Sequence, residues 1–206
     1  MVTDALLGLQ LSNPAATCLP KIKTVIRRDW DRERSSAERV AIITGGGSGH
    51  EPAHVGYVGH GMLTAAVCGE IFASPTVDQV FGAIMAVAAP DNRSKGVLMI
   101  VKCYTGDRLN FGMAAEKARG RGIDVRMVVV EDDESIYPRT SSSASAPASS
   151  SATASKSNAS GEPSASLTAT GPASLAAADS RRSAGKAGRR GLAGTVLVHK
   201  IAGAAA

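Results

Sequence analysis

Residues 141–180 hold 14 Ser and 12 Ala in 40 positions, with Leu167 and Leu175 as the only large apolar groups and Lys156, Glu162 and Asp179 as the only charges. Nothing in such a stretch can bury enough area to offset the roughly 1–2 kcal/mol per residue that ordering a backbone costs. It reads as a disordered insert, so the core must be built outside it. The aromatic residues agree, since Trp30, Tyr57, Phe72, Phe81, Tyr104, Phe111 and Tyr137 all precede it. Directly after it, Arg181, Arg182, Lys186, Arg189 and Arg190 put five positive charges in ten residues. They account for the whole net charge of +5 and leave the rest of the chain neutral. The basic character is thus local. No nucleic-acid module accompanies the cluster, and aromatic residues at 3% offer few stacking platforms, so nucleic-acid binding is not expected.

No apolar run reaches the roughly 18 residues that a membrane helix needs. Met1 to Ala5 carry an early acid, Asp4, and lack a basic region followed by an apolar one, so no secretory signal is expected. Cys18, Cys68 and Cys103, odd in number and widely spaced, fit neither a disulfide framework nor a zinc site. The expectation is a cytoplasmic protein in a reducing compartment, with no metal of its own and no membrane contact.

Before the insert, short apolar runs alternate with helical patterns. Val40 to Thr44 is a β-branched run that stops at Gly45-Gly46-Gly47, as a buried strand entering a loop would. Leu63 to Val67 is a weaker strand of the same kind. Ser74 can cap a helix and Pro75 suits its first position, with Val77, Val80, Phe81, Ile84 and Met85 on one face. Val97 to Val101 reads as the next strand. Asn110 to Arg119 reads as a helix with Phe111, Ala114, Ala115 and Ala118 inward, ended by Gly120 and Gly122, and Val125 to Val130 as a further strand. Leu6 to Trp30 is helical in part without a clean period. Past the insert, Leu192, Val196, Leu197, Ile201 and Ala204 fit a helix, although Thr195 to Val198 alone could pass for a strand. The alternation implies an α/β fold, a mainly parallel or mixed sheet flanked by helices.

In open α/β sheets, ligands bind beyond the carboxyl ends of the strands. Two segments leave strand ends with unusual chemistry. In Gly45 to His54, four glycines in five positions let a backbone approach a small ligand, Ser48 adds a hydroxyl, and His50 is a side chain suited to take a proton near neutral pH. The spacing matches neither the dinucleotide fingerprint nor a P-loop. A tight connection with an exposed histidine remains the alternative. In Lys102 to Asn110, a lysine at the strand end and Asp107 five residues on, turned by Gly106, can face one crevice. Asp107 could instead cap the following helix and Lys102 close a salt bridge. Both segments leave strands of one sheet, so His50 and Asp107 could converge on one small hydroxylated molecule.

Gly45 to His54, Gly59 to Ala65, Phe72 to Pro75 and above all Val101-Lys102-Cys103-Tyr104-Thr105-Gly106-Asp107-Arg108-Leu109-Asn110-Phe111-Gly112 closely resemble the dihydroxyacetone (glycerone) kinase family, and within it the DhaK substrate-binding domain. The resemblance runs from about Ala5 to Ile136 and resumes from Ala187 to Leu197, with Arg189 and Arg190 as part of a helix start. It divides the chain into a DhaK-like α/β subdomain (1–137), the Ser/Ala-rich insert (138–186) and a resumed DhaK-like helix (187–206). It implies that Gly47, Ser48, Gly49 and His50 contact a triose, that Lys102 and Asp107 hold its hydroxyl and carbonyl groups, and that His50, helped by Asp107, is the catalytic proton acceptor. The implied activity is ATP-dependent phosphorylation of dihydroxyacetone. ATP and Mg would be bound by a DhaL-type domain absent from this chain, in cis or in trans, and a homodimer is allowed. The family's connection equivalent to Tyr137–Ala187 is short. Its second subdomain, which carries a histidine that forms a covalent hemiaminal with the substrate carbonyl, would follow Ala206. The chain is thus expected to be about the first half of an incomplete substrate domain. Where that histidine is needed, the alternative is a non-catalytic triose binder or an inactive truncated fragment. His54, His60 and His199 take no role from the resemblance, and Cys68 and Cys103 read as small buried groups.

Overall fold

The computed structural model describes residues 1–30, 39–88, 95–136 and 189–206. The expected insert, with Arg181, Arg182 and Lys186, lies outside the described residues, as does Tyr137.

Six strands form one mixed sheet. They are β1 (Ala16–Leu19), β2 (Thr24–Arg27), β3 (Ala41–Ser48), β4 (Ala65–Ile71), β5 (Val97–Lys102) and β6 (Val125–Val130), ordered β1-β2-β4-β3-β5-β6. The last four run parallel, while β2 is antiparallel to both β1 and β4. The sheet is flanked by α1 (Val2–Ser12), α2 (Val77–Val87), α3 (Thr105–Arg119) and α4 (Gly194–Ala205). The expected fold class is what the structure shows. Alternation along the central strands divides the core into two layers. Ile43, Val67, Met99 and Val101 face α2 and α3, where Trp30, Ile84 and Phe111 complete the packing. Ile42, Ala66 and Ile100 face the other way, against Leu6 of α1 and Val198 and Ala202 of α4. Phe111 is fully buried, and truncating such a ring to Ala costs about 3–5 kcal/mol. Among the described residues, no helix is long and apolar enough to cross a membrane.

Five local expectations are corrected. First, the glycines after Thr44 are not a loop, because β3 continues through Gly45, Gly46 and Gly47 to Ser48, with a register shift against β4. The strand must pass close to α3 there, since a Cβ on Gly45 would stand 2.9 Å from Phe111 Cζ. Second, α2 is capped by Thr76 rather than Ser74. Thr76 Oγ1 accepts from the Gln79 amide while the Gln79 side chain accepts from the Thr76 amide, a reciprocal capping box. Third, α3 begins at Thr105, which puts Asp107 inside its first turn rather than ahead of it.

Fourth, α4 buries a different face from the one its large residues suggest. Thr195, His199 and Gly203 point inward, while Leu197 and Ile201 are 66% and 72% exposed. The reason is proximity: a Cβ on Gly203 would collide with the Met62 backbone, so only a face with a glycine there can come this close. Fifth, Arg189 and Arg190 do not start a helix. Arg190 Nε donates to the Asp133 carboxylate at 2.6 Å, the Asp133 amide donates to the Arg190 carbonyl at 3.1 Å, and Arg189 Nε donates to the Asp133 carbonyl at 3.1 Å.

Candidate active site

β3 and β5 are adjacent and parallel, so their carboxyl ends deliver Ser48 and Lys102 to the same edge of the sheet. His50 follows β3 by two residues, and its Nε2 lies 3.4 Å from Lys102 Nζ. A protonated lysine can only donate, which makes the imidazole nitrogen the acceptor. Burial lowers the pKa of Lys102, and the nearby Asp107 charge partly offsets this. Asp107 reaches the site from the first turn of α3, with only 4% of its surface exposed. Burial raises its pKa above the usual carboxylate range, against the opposing pull of a hydrogen bond from Ser74, then of Lys102 and His50. Ser74 Oγ donates that bond to Asp107 Oδ1. The hydroxyl that reads in sequence as a helix cap is therefore the carboxylate's partner.

The glycine-rich strand end divides by role. Ser48 is buried, and its Oγ donates to the Gly69 carbonyl at 2.9 Å, tying β3 to β4. The Gly49 amide donates to both oxygens of Glu51, at 3.1 and 3.2 Å, with Gly49 at φ +113°, a conformation suited to glycine. Gly46 matters for what it lacks: a Cβ there would stand 3.6 Å from both Asp107 Oδ2 and His54 Nε2.

His54 brings in residues to which the sequence reading assigned no role. Its ring meets that of His50 edge to face at 5.7 Å, and on another side that of His199 from α4 at 5.4 Å. Burial first, then the charge of Lys102, pushes His54 down to about 2 and His199 down to about 4. Both rings are therefore neutral near pH 7. Neither ring has a hydrogen-bond partner among the described residues, and nor does Thr195 Oγ1, one turn before His199. Leaving a buried polar atom unpaired costs about 1–3 kcal/mol, so these rings are suited to a polar guest. The Glu51-Pro52-Ala53-His54 run offered no periodic signal for this, and His199 is hidden among larger apolar neighbours. Among the described residues, no group of three or more His, Cys, Asp and Glu could hold a metal ion.

In this α/β domain, glycines at a parallel strand end stand beside an imidazole, an ammonium group and a buried carboxylate. The Dak1 domain family matches residues 7–147, and the chain belongs to that family. It is 52% identical over 141 residues to a dihydroxyacetone kinase of Citrobacter freundii, covering 66% of this chain and 24% of that one. It is 43% identical over 203 residues to the triokinase/FMN cyclase of Mus musculus, covering 98% of this chain and 26% of that one. The chain thus spans about a quarter of the length of these relatives. Among solved structures, the C. freundii dihydroxyacetone kinase in complex with AMP-PNP and Mg2+ matches with a TM-score of 0.67 at 42% identity, over 98% of this chain and 28% of that one. A dihydroxyacetone kinase operon co-activator, Dha-DhaQ, matches with a TM-score of 0.67 at 33% identity, over 98% and 46%.

Proposed function

We propose that this chain is the triose-binding part of an ATP-dependent dihydroxyacetone kinase, a phosphotransferase that makes dihydroxyacetone phosphate. The observation that carries this reading is the convergence of His50, Lys102 and Asp107 at the ends of β3 and β5. A co-activator shares the fold, so the fold alone does not decide for catalysis, and the reading rests on these side chains. Gly47, Ser48 and Gly49 shape the strand end against the substrate, while Lys102 and Asp107 hold its oxygens. A primary hydroxyl is far too weak an acid to attack phosphorus unaided. As its oxygen bonds the γ-phosphorus, the bond from that phosphorus to ADP breaks and the proton passes to His50, with Asp107 helping to orient and stabilise the reacting groups. ATP and Mg come with a DhaL-type domain in cis or in trans. Residues 1–137 and 187–206 form one substrate-binding unit interrupted by 138–186, which acts in the cytoplasm and can pair as a homodimer.

The test mixes the chain with an ATP-binding domain of the family and follows dihydroxyacetone phosphorylation. His50→Ala should lower kcat by about 10²–10⁴-fold, the range of a positioned general base. Turnover unchanged by that substitution overturns the assignment.

A further inference from the structure

The proposed chemistry uses His50 and leaves His54 without a task, although His54 lies deeper in the same site. Its Nε2 and Asp107 Oδ2 are each 3.6 Å from the position of a Cβ on Gly46, so they lie within about 7 Å of each other. Neither ring nitrogen has a partner among the described residues, at 4% exposure. Gly46 carries nothing that would fill the space beside them. We propose that His54 is a ligand-contacting residue of this site, its Nε2 hydrogen-bonding a hydroxyl of the short polyhydroxy ketone whose other oxygens meet Asp107 and Lys102. The inference rests on the triose reading and sharpens its specificity.

A neutral imidazole offers one donor and one acceptor, and a hydroxyl can serve either, so the contact forms in either tautomer. Burial keeps the ring neutral by holding its pKa near 2. A neutral ring beside the Asp107 carboxylate accepts an uncharged hydroxyl and disfavours a phosphate. His54 therefore reads the unphosphorylated end of the substrate and helps to distinguish it from the product. His199, fully buried, packs edge-on against His54 from α4.

The test titrates dihydroxyacetone, and separately dihydroxyacetone phosphate, into the full chain by calorimetry, for the unaltered protein, His54→Phe and His54→Gln. Phe keeps a ring and removes both nitrogens, whereas Gln restores a polar atom near Nε2. The expected result is roughly tenfold weaker dihydroxyacetone binding for His54→Phe, with most of the loss recovered by His54→Gln, and a smaller preference for the unphosphorylated ligand in His54→Phe. A second measurement needs no variant: imidazole nitrogen resonances assigned to His54 should shift on saturation with dihydroxyacetone. Resonances that stay still, or His54→Phe binding as the unaltered protein does, overturn the role of His54 and leave the triose reading standing. An unaltered chain that binds no dihydroxyacetone overturns the triose reading, and the proposal with it.

Discussion

Asp107 pays for its position in the site with stability, and the direction of that cost can be worked out. Burial raises its pKa, so the native carboxyl holds its proton to a higher pH than the unfolded one does. Between the two pKa values the native state binds more protons, so stability falls as pH rises through that window, and the deficit persists above it. Asp107→Asn removes the buried charge, while its amide oxygen can still accept from Ser74. At pH 7.5 the variant is expected to melt at a higher temperature than the unaltered chain. The gain should shrink as the pH is lowered through the raised pKa of Asp107, where the native acid is already neutral. In the reconstituted assay the same variant should lose about 10²-fold or more in turnover, since a preorganised charge is lost from the site. Melting curves across pH check the first outcome. A variant less stable at every pH would mean that the carboxylate makes a net favourable native contact.

Two residues of one short segment, Ser74 and Thr76, serve different elements, and substitution can separate them. Thr76→Ala removes half of the capping box of α2 and should cost about 1 kcal/mol in denaturant unfolding, with ligand binding little changed. Ser74→Ala leaves that cap intact but takes the hydrogen bond from Asp107, so it should weaken ligand binding more than it weakens folding. Equal effects of the two substitutions on binding would dissolve the distinction. The segment also marks how far the sequence could be read. Val97 to Val101 and Val125 to Val130 are legible because β-branched runs bounded by glycine or polar residues have few other uses. His50 and Asp107 are legible because each closely follows a strand, and Lys102 because it ends one. The partner of Ser74 is not, because it lies 33 residues away and the contact exists only once α3 lies beside α2. The β1–β2 hairpin is also hidden, its strands being four residues each, with β2 buried along its whole length and showing no alternation. The inward face of α4 departs from its apolar pattern because a close approach at Gly203 outweighs the burial of Leu197 and Ile201.

At the scale of the whole molecule, the proposed substrate-binding unit has to accommodate 138–186 between two of its parts. The residues flanking the tract are joined to each other. Asp133 and Arg190 exchange hydrogen bonds in both directions, and Ser135 and Arg190 hold the Asp133 carboxyl down to about 2. Asp132 accepts from the amides of Leu192 and Gly194, the latter at 2.7 Å, and so ties the turn after β6 to the N-terminus of α4. The chain therefore departs and returns at one clasp, and closure needs only enough residues to span it. Loop-closure entropy grows by about 0.6 kcal/mol per doubling of length. Replacing 138–186 with about ten Gly and Ser residues shortens the loop closed between Asp133 and Arg190 by not quite two doublings, which should stabilise the chain by about 1 kcal/mol. Dihydroxyacetone binding should be unchanged, because His50, His54, Lys102, Asp107 and His199 all lie outside the tract. Urea unfolding and calorimetric titration of the shortened chain check both expectations. A shortened chain that unfolds at markedly lower urea, or that loses its ligand, would place part of the core or the site within 138–186, against what its Ser/Ala composition implies.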